Sequence, residues 1–232
     1  MPTVLLVRHG RTTANASGVL AGWTPGVMLD EHGVAQAQAL RERWSSLPLA
    51  AVVSSPLERC LQTATESRGP DHPEPAIDDG FAECRYGSWT GRTLASLAKD
   101  PMWKVVQQHP SAAEFPGDDG ESLRAVQSRA VDAVRRWNGE LGDDAVYAVF
   151  SHGDVIKAVL ADALGLHLDQ FQRIVVNPCS VSVVRYLPDR IFVDQVNTTS
   201  GDLSVLRPTK RKRRRKSGST DAAVGGGSGE RE

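Results

Sequence analysis

The sequence predicts an α/β domain built on a largely parallel sheet, and three observations carry that prediction. Short, almost wholly apolar runs recur at TVLLV (3–7), AAVVSS (50–55) and AVYAVFSH (145–152). Runs without polar alternation belong to strands covered on both faces. Patterns of helical period lie between them, and such strand–helix alternation builds parallel sheets. Two later runs, SVSVVRY (180–186) and RIFVDQV (190–196), leave room for one antiparallel strand near the end of the domain.

The intervening helices follow in order. After LDEHG, the residues Val34, Ala37, Leu40 and Trp44 keep a helical period, with Asp30 as N-cap. In SSPLERCLQTA (54–64), Ser55 is expected to cap and Pro56 to take the first helical position. Leu57, Cys60, Leu61 and Ala64 then form one apolar stripe. A third helix over about 121–137 places Leu123, Val126, Ala130, Ala133, Val134 and Trp137 inward. A fourth follows His152, with Val155, Ile156, Val159, Leu160 and Ala163 on its inner face. Residues 92–118 are less regular and read as an insertion that shapes or covers a site. From residue 208 the composition turns to Pro, then Lys/Arg, then Gly/Ser, which predicts a domain over 1–207 and a disordered tail over 208–232.

Charge follows the same boundary. The tail carries eight Lys/Arg, seven of them in KRKRRRK (210–216), against three acids, a net of +5. The whole chain is −1, so the first 207 residues carry −6. A net-acidic globule is not a generally basic nucleic-acid-binding domain, although the run 210–216 could contact a polyanion on its own. The three cysteines, Cys60, Cys84 and Cys179, have no CxxC spacing and fit reduced thiols. No apolar run approaches a membrane span and the N-terminal one is too short for a signal peptide, so a cytoplasmic protein is expected.

In open α/β sheets ligands bind beyond the carboxyl ends of the strands. Three strand ends here bear unusual groups: Arg8-His9-Gly10, Ser54-Ser55-Pro56 with Arg59, and Ser151-His152-Gly153. The loop FAECRYGSWTG (81–91) adds Glu83 and Arg85. In a parallel sheet these converge at one edge. Guanidinium forks and helix N-termini suit a phosphate dianion, and Thr12, Asn15 and the backbone after Gly10 supply further donors. A neutral imidazole facing that anion can serve as nucleophile. Ester cleavage also needs a proton donor. Glu83 can serve if its environment keeps it protonated above the ordinary value of about 4.3, with Glu58, Glu114 and Glu121 as alternatives from other loops. Metal binding by the two histidines is the competing reading, without an HExxH or an Asp-rich partner set to support it. The remaining histidines, His32, His72, His109 and His167, are read as structural. Trp89 reads as packing, Trp23 and Trp103 as packing or pocket wall.

Taken together, the motifs resemble a known family. VRHGRTTAN (7–15), LAGW (20–23), LDEHGVAQA (29–37), SSPLERCLQTA, ECRYGSWTG (83–91), GES (120–122) and SHGDVIKAVL (151–160) occur in the order found in the histidine phosphatase superfamily, phosphoglycerate-mutase-like branch, and span about residues 3–197. The resemblance implies a three-layer α/β/α fold of the phosphoglycerate-mutase type. It implies a phosphohistidine on His9, with Arg8, Arg59 and His152 holding the phosphoryl group, and Glu83 as acid/base. Asn15 and Gly153 enter as phosphate contacts. Gly10, Thr12, Gly22, Arg11 and Arg85 are further candidates for substrate binding. No metal or other cofactor is implied, the partner is a small phosphorylated metabolite, and dimers are common in the family.

The chain also departs from the family pattern. Arg11 stands where the family usually has Glu or Gln, which marks the pocket entrance as unusual. Leu94 falls near the place of a mutase lysine, and Lys104 is the only cation in 103–118, where mutases carry paired arginines. Fewer distal cations favour simple hydrolysis by an acid-phosphatase-like enzyme over a phosphomutase. A non-catalytic binding protein acting through its basic tail is the remaining alternative.

Overall fold

A computed structural model describes residues 1–207 of the chain. The expected tail at 208–232, with its basic run at 210–216, lies outside the described residues. Strands β1 (Thr3–Arg8), β2 (Ala51–Ser54), β3 (Pro75–Ile77), β4 (Val146–Ser151), β5 (Val181–Tyr186) and β6 (Ile191–Thr198) form one sheet in the order β3-β2-β4-β1-β5-β6. The four strands β3, β2, β4 and β1 are mutually parallel, and β5 runs antiparallel between β1 and β6. This is the mostly parallel sheet of the expected α/β/α fold.

The apolar runs are buried because both faces are covered. Val4 and Leu6 of β1, Val53 of β2 and Val149 of β4 join a core with helices α6 (Leu123–Leu141) and α7 (Gly153–Ala163). Leu5, Val7, Val52, Ala148 and Phe150 point the opposite way, into a core shared with α2 (Glu31–Trp44) and α3 (Glu58–Ser67). The alternation of strand side chains thus divides one continuous apolar run between two cores.

Asp30 caps α2 as expected, its side chain accepting from the Gly33 amide. The cap assigned to Ser55 is corrected: α3 begins at Glu58 after a Leu57 N-cap, and Pro56 lies outside the helix. The Ser55 hydroxyl is engaged by His152 instead, at 2.8 Å, so the chain turns for two more residues before helix begins. Helix α6 is capped by Ser122 and runs one turn beyond 137, where bonds from Trp137 Nε1 to Asp78 and from the Tyr147 hydroxyl to Asn138 pin its last turn. Strand β3 went unpredicted; three residues opening with proline pair only at the sheet edge, where a missing N–H costs least. The irregular segment 92–118 folds into α4 (Leu94–Leu97), capped by Thr93, and α5 (Pro101–Gln108), capped by Asp100, with a short α1 (Thr13–Ala16) earlier in the chain. No helix among the described residues is long and apolar enough to cross a membrane.

Candidate active site

The parallel register brings the strand ends together. Arg8 of β1 pairs with Ser151 of β4, and Ser54 of β2 with Phe150, so the residues that follow emerge side by side. The His9 amide donates to the Ser151 carbonyl at 3.0 Å, and the rings of His9 and His152 sit 5.3 Å apart. Glu83 arrives from the loop after β3. The glutamate meets Arg59 at 3.7 Å and His152 Nδ1 at 3.5 Å, both through Oε2. Glu58, Glu114 and Glu121 lie elsewhere: Glu58 accepts from the Gly26 amide, Glu121 pairs with Arg129, and Glu114 is exposed.

Hydrogen bonds settle the state of His9. Its Nδ1 is 2.8 Å from the Gly10 carbonyl, which can only accept, so Nδ1 carries the proton. Nε2 then bears the lone pair. Burial, reinforced by the Arg59 and Arg8 charges, holds the His9 pKa well below its ordinary value. The imidazole is therefore neutral, with its nucleophilic nitrogen free.

Arg8 and Arg59 are each anchored on one side and unpartnered on the other. Arg8 Nη1 donates to the Val176 carbonyl at 2.7 Å, and Arg59 Nη2 to the Gly22 carbonyl at 2.9 Å. Arg8 Nε and Arg59 Nη1 are buried without a hydrogen-bond partner among the described residues. Orphaned buried guanidinium N–H groups are rare and call for a ligand. Helix α7 begins beside them with no side-chain cap, its first residue Gly153 lining the same cavity; uncapped N–H groups there favour an anion.

Burial is the main force on Glu83. It drives the carboxyl up to about 7, against the Arg59 charge and with the help of Asp154. A carboxyl titrating there donates a proton at neutral pH and accepts one after losing it. The Cys84 amide donates to Oε1 at 3.0 Å, and Arg129 and Trp23 hold the Glu83 backbone carbonyl.

The cavity holds about 490 Å³. Its walls include Arg8, His9, Asn15, Gly22, Arg59, Glu83 and Gly153 of the expected set. Other members of that set are placed differently. His152 is wholly buried behind this wall, with Nδ1 accepting from Arg59 Nη2 at 3.1 Å and Nε2 donating to Ser55. Thr12 touches the cavity, but its hydroxyl is spent on a capping box with Asn15. The Gly10 amide donates to the Thr63 hydroxyl, and Gly10 is absent from the wall because its place is tight backbone packing: a Cβ there would meet the Gly33 carbonyl at 2.8 Å. Arg11 is corrected. Its Nε pairs with Asp30 Oδ2 at 2.7 Å, which turns the side chain to the α2 cap and away from the wall. Arg85 likewise stacks over the Trp23 ring at 4.0 Å and does not line the cavity.

Sequence reasoning missed Tyr86, Asp154 and Lys157, all of them in the wall. Tyr86 and Asp154 lay within quoted motifs; only their contact with Glu83's surroundings marks them. The segment 92–118 contributes Leu94, Trp103, Val106 and Phe115, which makes the expected shaping role concrete. Trp89 packs in the core and stacks on Trp103 at 6.2 Å. Among the described residues no group of three or more His, Cys, Asp or Glu side chains is placed to hold a metal ion.

A neutral histidine, two arginines and a buried acid at the carboxyl edge of such a sheet define a phosphoryl-transfer enzyme class. The model of the histidine phosphatase superfamily (branch 1) matches residues 4–199, and the chain belongs to that family. Phosphoserine phosphatase 1 of Hydrogenobacter thermophilus is 29% identical over 210 residues, 86% of this chain and 93% of its own. A 2,3-bisphosphoglycerate-dependent phosphoglycerate mutase 2 of Gloeobacter violaceus is 28% identical, over 83% of this chain and 89% of its own. A probable 2-carboxy-D-arabinitol-1-phosphatase of Arabidopsis thaliana is 29% identical over 80% of this chain, which spans only 38% of that protein. The solved structure of Bacillus stearothermophilus YhfR superposes with a TM-score of 0.76 at 27% identity, covering 89% of this chain and all of that one.

Proposed function

We propose that the chain hydrolyses phosphomonoesters of small metabolites by way of a phosphohistidine on His9. The observation that carries the reading is the pair of unpartnered guanidinium nitrogens, Arg8 Nε and Arg59 Nη1, on side chains that share a cavity with neutral His9. The His9 Nε2 lone pair forms the N–P bond as the ester P–O bond breaks. Arg8, Arg59 and the α7 N-terminus stabilise the oxygens of the transferring group. Glu83 gives its proton to the departing alkoxide. Water then attacks the phosphohistidine, its proton passes to the Glu83 carboxylate, and the N–P bond breaks to release phosphate and restore His9. His152 orients Arg59 through Nδ1.

The mutase relative keeps a second reading in view. Against it stands the charge of the distal wall. Lys157, its one cation among the described residues, is 3.5 Å from Asp154, Leu94 faces the cavity, and Lys104 does not line it. A bisphosphate needs a second cationic seat, and this wall has no surplus charge to provide it.

The test is a quenched-flow reaction with phosphorus-labelled 4-nitrophenyl phosphate. The expected result is an acid-labile, base-stable protein label in the wild type, none in His9→Ala, and turnover unaffected by EDTA. Undiminished hydrolysis by His9→Ala overturns the reading. Isomerisation of 3-phosphoglycerate that depends on 2,3-bisphosphoglycerate and outruns phosphate release transfers the assignment to a mutase.

A further inference from the structure

Asp154 has no part in the scheme above, yet it is tied to the proton donor. The Tyr86 hydroxyl lies 2.9 Å from Asp154 Oδ2 and 3.3 Å from Glu83 Oε1. Tyr86 is buried and its ring is fixed edge-on against Phe115, 4.8 Å between centroids, so the hydroxyl stays between the two carboxyl groups. Asp154 is held from its other side by Lys157 Nζ, which also donates to Gln172.

A tyrosine hydroxyl has one proton to give. Two carboxylates across it compete for that proton, and the shorter distance assigns it to Asp154. An ionised Glu83 is left with a weak share and a like charge one hydroxyl away. A proton on either Glu83 oxygen removes the conflict. On Oε1 it is donated to Tyr86 Oη, completing a chain in which every group is satisfied. On Oε2, the oxygen facing Arg59 and His152, it leaves Oε1 as an uncharged acceptor. The geometry therefore favours a proton on Glu83, with the hydroxyl as spacer to Asp154.

We propose that Asp154, acting through the Tyr86 hydroxyl, is a positioning residue that holds Glu83 in its proton-donating form. The proposal rests on Glu83 being the general acid of the hydrolysis. Other groups face Glu83 from every side: the charges of Arg8 from β1 and Arg59 from α3, the neutral imidazoles of His9 and His152 at the strand ends, and Arg129 from α6 through the backbone carbonyl. The thiols of Cys84 and Cys60 also lie close, both pushed up by burial and so uncharged. The cations and the Cys84 amide all favour the carboxylate. Among the described residues, Asp154 is the acidic side chain whose charge opposes them, as its upward effect on Glu83 indicates. Without it burial alone opposes the cations, and the carboxyl loses its proton more readily.

The experiment compares kcat/KM against pH for an alkyl and an aryl phosphate in the wild type, Glu83→Gln, Asp154→Asn, Asp154→Glu and Tyr86→Phe. Asp154→Asn is expected to move the alkaline limb for the alkyl ester to lower pH by roughly one unit, the effect of removing a like charge at this range. At pH 7 this reads as a several-fold loss on the alkyl ester and a smaller one on the aryl ester. Tyr86→Phe moves the limb the same way, and Asp154→Glu restores it. An alkaline limb unmoved in Asp154→Asn overturns the proposal. So does a loss equal to that of Glu83→Gln which Asp154→Glu does not restore, since Asp154 would then be the donor itself. The reading of Glu83 as acid fails separately, by equal losses on both esters in Glu83→Gln.

Discussion

Arg59 Nη2 donates to His152 Nδ1 at 3.1 Å, and that contact sets the protonation of the site's second histidine. A guanidinium can only donate, so Nδ1 accepts and Nε2 carries the proton, given to the Ser55 hydroxyl at 2.8 Å. Burial and the Arg59 charge hold the His152 pKa well below its usual value. A serine in the loop after β2 thus orients an imidazole at the end of β4.

Ser55→Ala removes the acceptor for His152 Nε2. A loss of about tenfold in kcat/KM is expected, within the range for a misplaced catalytic side chain. In the proposed reaction His152 positions Arg59 and Arg59 holds the phosphoryl group, so aryl and alkyl esters should lose equally. Steady-state kinetics on both esters checks this; a loss confined to the alkyl ester would place the pair on the proton donor instead.

Glu83 couples the site to stability. Its pKa is about 7 in the fold against 4.5 ordinarily, so the folded state binds the proton more tightly than the unfolded one. The stabilisation is full below pH 4.5 and is lost as pH rises through 7, about 3 kcal/mol at most. His9 and His152 are shifted the other way, so their contribution is present above pH 6.5 and is lost on acidification. The difference between Glu83→Gln and the wild type isolates the glutamate. Its Tm relative to wild type should rise between pH 5 and pH 8, measured by differential scanning calorimetry.

Gly33 lies where α2 abuts the loop after His9. A Cβ there would fall 2.0 Å from the Arg11 carbonyl oxygen, a backbone atom that cannot step aside. Gly33→Ala should cost about 1–3 kcal/mol, as overpacking does, and lower kcat because the displaced backbone carries His9. Thermal denaturation together with kcat measures both.

Arg11→Ala tests whether the residue takes part in substrate binding. The Arg11–Asp30 pair is partly exposed, and its loss should cost under about 1 kcal/mol. KM for phosphate esters should change less than about twofold, since Arg11 does not line the cavity. A large rise in KM would return Arg11 to substrate binding.

Five of the six strands, the four main helices and the grouping of His9, Arg8, Arg59, Glu83 and His152 were legible in the chain. Strand burial and helix faces are written as local periodicity, and a parallel sheet carries its strand ends to one edge whatever the details. Asp30 was legible as a cap for the same reason, because capping is a contact over three residues. Ser55 was misread since its partner, His152, lies 97 residues away. Helices α4 and α5 had cap signals, Thr93 and Asp100, that short length obscured.

By itself the sequence determined which chemical groups stand at the strand ends, because strand period and residue type are local properties. The tertiary structure alone decided what those groups do. It turned Arg11 to Asp30, spent the Thr12 hydroxyl on Asn15, set His152 behind Arg59, and placed Asp154 against Tyr86 across 68 residues. Side-chain direction, proton position and the charge felt by a buried acid all depend on neighbours from other elements. Packing brings those neighbours together, and no local pattern encodes them.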